Sequence, residues 1–366
     1  MRKIILLLTI ALLAILVYSH VTRRPNLILN RSKKAKIKVS LSPEIKSIFV
    51  PYWSLDEGLV SSNYDRYFYF GITADSQGVE RQEVGFQKLN SFVKLTEGKN
   101  SYLVLRLLDD DFNKRLLADK NLQRKIIEET IEVEKENNFK GLAIDLEIFN
   151  LFSNEVINQT NNFVKDFYTR QKQNYKPLAV ILYGDIFFRK RPFDLFFLSK
   201  YSDEILVMAY DFHKSRGEAG PNFPYDLGPN NNYSFKKMVS DFVSVVAKEK
   251  LTIIVGMFGY DWMVDEKKRP IAPAKALTLK QIKNKFSLDS LDTQQVSSQA
   301  AIKRDDISKE TEIDYTVSAT IPDEQGIYRI DYHVIWFEDE ESAKIKTEYL
   351  QKQGIGSIGY WAWGYF

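Results

Sequence analysis

From Lys46 onward, short and nearly continuous apolar runs alternate with stretches of helical periodicity. The runs are Ser47–Tyr52, Tyr67–Ile72, Ser101–Leu107, Gly141–Leu146, Leu178–Tyr183, Glu204–Tyr210, Thr252–Phe258 and Ser357–Trp361. Strands read this way when both faces are covered, as in a parallel sheet with crossover helices packed on it. Between them, Ile126, Ile127, Ile131 and Val133 form an apolar stripe in Leu122–Asn137. Ile157, Phe163, Val164 and Phe167 do the same in Val156–Gln173, and Phe235–Lys248 and Ser342–Lys352 are comparable. Alternation of this kind predicts right-handed βαβ units, and eight strands predict an α/β chain closed into a (β/α)8 TIM barrel. The alternative, an open doubly wound sheet, lacks a Gly-rich phosphate loop after the first strand.

One interval breaks the rhythm. About 70 residues separate Trp262 from His333, far more than a βα connection needs. They hold a helical piece (Leu279–Phe286), a polar stretch (Asp289–Ser298) and two β-like pieces, Asp314–Ala319 and Gly326–Trp336. This predicts a small α+β subdomain, about residues 264–335, inserted after strand 7 into a barrel spanning 44–366. No helical pattern follows strand 8 within this sequence.

At the other end, Arg2 and Lys3 precede an apolar run from Ile4 to Tyr18, which predicts a signal peptide or signal anchor over residues 1–21. Ser19-His20-Val21 is a poor cleavage site, so an uncleaved anchor is favoured. Residues 22–43 read as a basic tether. Its arginines and lysines would hold the body in the cytoplasm by the positive-inside rule.

Composition narrows the function. Of 366 residues, 44% are hydrophobic and 27% charged, which excludes disordered and fibrous classes. A net charge of +3 argues against nucleic acid as the main partner. With no cysteine, disulfides, thiolate metal sites and cysteine nucleophiles are excluded. Aromatics reach 13%, enough for a large core and a sugar-stacking cleft.

In a TIM barrel, function gathers where strands end and βα loops begin. Strand 4 ends Asp145-Leu146-Glu147, and carboxyls two apart on a strand point to the same side. Coupled carboxyls suit a general acid with a supporting carboxylate. Two solvated acids at a strand end are the plain alternative. Strand 6 ends Met208-Ala209-Tyr210-Asp211, bringing a phenol and a carboxyl toward the same mouth. Strand 8 ends with Trp361, a floor for a sugar ring or a packing residue of the barrel. Tyr52 and Trp53 at the end of strand 1, Tyr183 at the end of strand 5 and Trp262 after strand 7 are further candidates for substrate contact. Arg106 and Asp109-Asp110-Asp111 end strand 3 and read as a solvated loop; His213 reads as standing behind the site. His20 and His333 do not complete a metal site with it. Three Asn-x-Ser/Thr sequons, at Asn30, Asn158 and Asn232, are common by chance.

Together these pieces resemble glycoside hydrolase family 18, the chitinase-like barrels. That family carries Asp-Gly-x-Asp-x-Asp-x-Glu on strand 4, Met-x-Tyr-Asp on strand 6 and a Trp ending strand 8. Here Gly141, Asp145 and Glu147 match strand 4, whereas Lys140 and Ala143 replace the first two aspartates. Met208, Tyr210 and Asp211 match strand 6 fully. The likeness is closest to the spore cortex-lytic and spore-germination branch, through Tyr210–His213 followed by Gly220–Pro224, Gly259–Trp262 and His333–Asp339.

The resemblance implies a retaining glycosidase without an enzyme nucleophile, needing no metal or organic cofactor. Glu147 would protonate the glycosidic oxygen and the substrate's 2-acetamido oxygen would attack the anomeric carbon. Asp145 would orient that acetamido group, Tyr210 would hydrogen-bond it, Asp211 would support the site, and Trp361 would floor the sugar. The substrate would be a β-1,4-linked polymer containing N-acetylglucosamine, either chitin-like or peptidoglycan. That partner places the body outside the membrane, held by the N-terminal segment or secreted, despite the charge bias. The competing expectations are a catalytically weak, lectin-like barrel of the same family and a cytoplasmic-facing sugar-phosphate barrel. The second lacks the phosphate loop near strands 7 and 8.

Overall fold

The computed structural model describes residues 44–149, 153–229, 232–288, 300–318 and 330–366. The leader, the tether and the polar stretch Asp289–Ser298 fall outside the described residues. Among the described residues, no helix is long and apolar enough to cross a membrane.

Eight parallel strands close a barrel: β1 (Ile45–Pro51), β2 (Arg66–Asp75), β3 (Ser101–Leu107), β4 (Leu142–Leu146), β5 (Leu178–Tyr183), β6 (Glu204–Ala209), β7 (Leu251–Gly256) and β8 (Ser357–Trp361). Each pairs with the next, and β8 pairs with β1 through Ile45↔Ser357 to Ile48↔Tyr360. The (β/α)8 expectation therefore stands. On β4, Leu142, Ile144 and Leu146 face the surrounding helices, whereas Ala143 and Asp145 face the lumen, because successive side chains alternate. A bulge on β2 between Phe70 and Ile72 shifts that alternation, so Phe70 faces the lumen and Ile72 the helices.

The outer layer includes α1 (Leu89–Leu95), α2 (Asp110–Ala118), α3 (Lys120–Glu136), α4 (Asn154–Gln173), α5 (Leu195–Lys200) and α6 (Phe235–Val243). Their starts follow the sequence: the Asp109, Asp119, Asp194 and Ser234 side chains each accept a backbone N–H of the first turn. Phe163 and Phe167 of α4 are fully buried, each contributing about 1.5–3 kcal/mol by leaving water. The pattern over Phe235–Lys248 predicts a longer helix than forms. Helix α6 stops at Val243 and a 3-10 turn at Lys248–Lys250 leads into β7.

The lumen is filled from below. At its floor the Arg66 guanidinium bonds Glu204 twice (2.7 and 3.0 Å), Ser47 (3.0 Å) and Ser357 (2.7 Å), tying four strands together. Above it Phe49 stacks on Phe68 (4.9 Å) and Phe68 on Tyr102 (5.0 Å), with small Ala143 and Ala179 opposite. Open space is thereby left at the carboxyl ends of the strands.

The insertion starts earlier than residue 264. The apolar run over Thr252–Phe258 is broken: β7 ends at Gly256, and Phe258 opens a new strand to Val264. That strand buries Phe258, Tyr260, Trp262 and Val264 on one face, the period-two pattern of an antiparallel sheet. It lies between Lys275–Thr278 and Ile330–Phe337, followed by Thr311–Ser318 and Ala300–Arg304, all antiparallel. Helix α7 (Leu279–Phe286) completes the subdomain, and α8 (Glu340–Gln353) returns the chain to β8. Capping boxes set both helices, Thr278 with Gln281 and Asp339 with Ser342.

Candidate active site

Glu147 follows the last residue of β4, and its backbone is pinned on two sides. Its N–H donates to Leu107 O (2.9 Å), and its carbonyl accepts from Asn113 Nδ2 (2.8 Å), a buried side chain of α2 that also holds Leu107 O (2.7 Å). The strand end is therefore anchored to β3 before any substrate contact is made. Glu147 and Asp145 both line a cavity of about 320 Å3 at the barrel mouth, together with Tyr183, Met208, Tyr210, Asp211, Trp53 and Trp361.

Asp145 is 3% exposed, and its Oδ1 has no hydrogen-bond partner among the described residues. Burial pushes its carboxyl well above the ordinary range; the charge of Glu147 adds to this and Arg106 opposes it. Burial also raises Glu147, while Tyr183 and Lys214 pull it back and Asp211 adds to the rise. The Tyr183 hydroxyl stands beside Glu147 without closing a hydrogen bond of normal geometry. The two carboxyls therefore titrate as an interacting pair, the charge of one disfavouring ionisation of the other. The position below Asp145 holds Ala143, fully buried in the apolar lumen layer, so no carboxyl meets Asp145 from that side.

Burial, reinforced by Asp145, Asp211 and Glu147, keeps the Tyr210 phenol protonated and able to donate. Beside it Gly256 leaves no room for a side chain: a Cβ there would lie 2.6 Å from the Cβ of Tyr210. Asp211 sits in the left-handed region at φ 58°, which Asp tolerates better than most residues. Its N–H donates to Asn222 Oδ1 (2.8 Å) and its Oδ1 accepts from the Tyr260 hydroxyl (2.8 Å). Burial raises Asp211, and Lys214 and Tyr260 restrain it. Trp361 meets Phe70 edge-on at 4.7 Å and lies 6.2 Å from Tyr210, nearly parallel to it. Trp53 is 47% exposed at the rim.

Two expected sugar contacts are placed elsewhere. Trp262 has 0% exposure and packs beside Tyr260 in the insertion's own core, because its strand belongs to the inserted sheet. Tyr52 lies under the Arg106 guanidinium (5.2 Å) and is absent from the cavity wall. Arg106 is itself buried against Tyr52 and Phe70 rather than solvated. Asp109 caps α2, and Asp110 accepts the N–H of Phe149 (3.0 Å). His213 Nδ1 pairs with Pro221 O (2.7 Å), behind the cavity. His333 Nδ1 meets Asp261 (2.9 Å) in the inserted sheet. Lys214 and Tyr260, both in the cavity wall, carried no sequence signal beyond lying next to the strand-6 and strand-7 motifs.

A parallel barrel whose catalytic-type carboxyls emerge at the end of β4, beside a tyrosine and a tryptophan, defines a glycosidase-type site. The family model of glycosyl hydrolases family 18 matches residues 29–365, and the chain belongs to that family. The chain is 22% identical to the cortical fragment-lytic enzyme of Bacillus anthracis over 311 residues, 81% of this chain and 64% of the relative. It thus spans under two thirds of the length of the curated relatives it matches. Among solved structures, the Bacillus cereus spore cortex-lytic enzyme SleL superposes with a TM-score of 0.66 at 19% identity, covering 89% of this chain and 72% of that one. The Ostrinia furnacalis Group IV chitinase gives 0.68 at 15% identity, covering 87% and 92%.

Proposed function

We propose that the chain hydrolyses β-1,4-linked glycans containing N-acetylglucosamine by substrate-assisted, retaining catalysis. The observation that carries this reading is the convergence of Glu147, Asp145 and Tyr210 on one cavity beside Trp361. Burial raises the Glu147 carboxyl, which favours the protonated form that a general acid for the leaving oxygen needs. As the C1–O bond breaks, the substrate's own acetamido oxygen bonds to C1, giving a cationic oxazolinium ring. Asp145 stabilises that charge and orients the acetamido N–H, while the Tyr210 hydroxyl donates to the acetamido oxygen until it attacks. Water then opens the ring at C1 with Glu147 now acting as base, which returns its proton and retains the configuration. Asp211 acts through position, at the corner held by Asn222 and Tyr260. Trp361 supplies an apolar face for the sugar ring. The relatives named as cortical fragment-lytic enzymes favour peptidoglycan glycan over chitin as the polymer.

This reading places the body outside the membrane, where such polymers lie, with residues 1–21 as signal peptide or anchor and 22–43 as tether. The test compares the full-length protein in mild detergent with its Glu147→Gln variant. Both receive N-acetylglucosamine oligomers and purified peptidoglycan glycan strands, and products are read by mass spectrometry. Cleavage by the parent alone is expected. Equal cleavage by both removes Glu147 as the acid. Binding without cleavage by either makes Ala143 the mark of a barrel that only binds sugar.

A further inference from the structure

Beside the catalytic cavity runs a groove of about 610 Å3 that shares Lys214 with it. Arg189, Arg191, Lys214 and Arg216 line the groove, with Glu218 as the acid in its wall. Two of these cations are held in place from beneath: buried Asp185 binds Arg189 Nη1 (2.5 Å) and Arg191 Nη2 (3.0 Å). The other two carry no close partner among the described residues, although the Lys214 charge also reaches Glu147 and Asp211 across the shared wall. Among the described residues, the Lys214 ammonium makes no hydrogen bond or ion pair, lying 5.3 Å from the Phe149 ring and 5.5 Å from that of Tyr183. Arg216 is exposed and likewise unpaired among the described residues.

A wall of cations favours an anionic group over the neutral hydroxyls of a sugar. Cations held near aromatic faces and partly desolvated form strong charge-assisted hydrogen bonds with a carboxylate. We propose that this groove is a subsite for a carboxylate carried by the glycan next to the cleaved bond. Two sources share that chemistry: the ether-linked lactyl group of a muramic-type sugar, and the acidic residues of an attached peptide. The assignment rests on the glycosidase reading for its place beside the reacting bond, and it makes Lys214 and Arg216 the specificity-determining residues.

Three soluble peptidoglycan oligomers separate the possibilities: peptide-bearing, peptide-free with free lactyl carboxylates, and peptide-free with those carboxyls reduced to alcohols. KM and kcat are measured for the full-length protein and for Lys214→Gln and Arg216→Gln, at low and raised salt. The parent is expected to show a KM roughly tenfold lower for a carboxylate-bearing oligomer than for the reduced one, the worth of one well-placed ionic hydrogen bond. Both variants and raised salt should erase that preference. A preference already complete in the peptide-free oligomer assigns the groove to the lactyl carboxylate; one that appears only with peptides assigns it to the stem. Calorimetric titration of the Glu147→Gln protein with the same oligomers reads the preference without turnover. Absence of cleavage throughout therefore sinks the glycosidase reading alone. Equal binding of acidic and reduced oligomers, or variants that keep the preference, overturns the groove.

Discussion

Lys346→Met probes the contact that ties the insertion to the barrel. Lys346 on α8 is fully buried between Glu310 (3.0 Å) and Glu338 (2.9 Å), themselves fully buried. Burial pushes Glu338 up to about 8 against the pull of Lys346, which favours its protonated form near neutral pH and leaves Lys346 chiefly facing Glu310. Glu310 also accepts the N–H groups of Asn222 (2.5 Å) and Phe223 (2.8 Å), and the Asn222 side chain holds the Asp211 N–H. Methionine keeps most of the volume and removes the charge, leaving a buried anion with two amide donors. Breaking a buried pair this way costs about 3–5 kcal/mol. Unfolding entropy of about 2.1 cal/mol/K per residue, over roughly 300 ordered residues, comes to about 0.6 kcal/mol/K, so Tm should fall by about 5–8 °C. The sign with pH follows from Glu338: its folded pKa lies above the unfolded value, so its contribution is complete below about pH 4 and is lost as pH rises through 8. Thermal unfolding by circular dichroism, with parent and variant in the same detergent, reads both effects. The double variant Lys346→Met/Glu310→Gln should recover part of the loss, since the amide removes the buried charge but accepts only one of the two N–H groups. A Tm within about 1 °C of the parent at pH 7, or no recovery in the double variant, refutes the reasoning.

Arg106→Gln removes the cation that restrains Asp145, so the acid limb of kcat/KM should move to higher pH, with kcat down roughly tenfold at neutral pH; an overlaid profile would count against Arg106 as a positioning residue. Because burial raises Glu147, the alkaline limb should lie above the ordinary glutamate value of about 4.3, with activity lost as pH rises through the raised pKa. A limb at or below that value means that another group is the acid. Trp262→Ala should cost about 3–5 kcal/mol of stability in denaturant unfolding with KM little changed, since the ring fills the insertion's core. A large rise in KM with unchanged stability would restore it to the sugar site.

The barrel was legible along the chain because parallel strands covered on both faces must be apolar nearly throughout, and Leu142–Leu146 or Leu178–Tyr183 can be little else. Asp145, Glu147, Tyr210 and Asp211 were legible for a related reason: polar residues that interrupt such runs at strand ends have no place in the core. Local pattern also marked helix starts at Asp109, Asp119 and Asp339. Tertiary structure alone decided which aromatic rings face the cavity. Trp53 and Trp262 read alike in one dimension, but one stands at the rim and the other is sealed in a sheet built from strands some 70 residues apart. The buried Arg106, the trio of Lys346, Glu310 and Glu338, and the paired arginines over Asp185 were likewise invisible. Charged residues look solvated wherever their partners are distant in sequence. The fold brings those partners together, and removal from water gives their charges the strength to hold Asp211 in place and set the protons of Asp145 and Glu147.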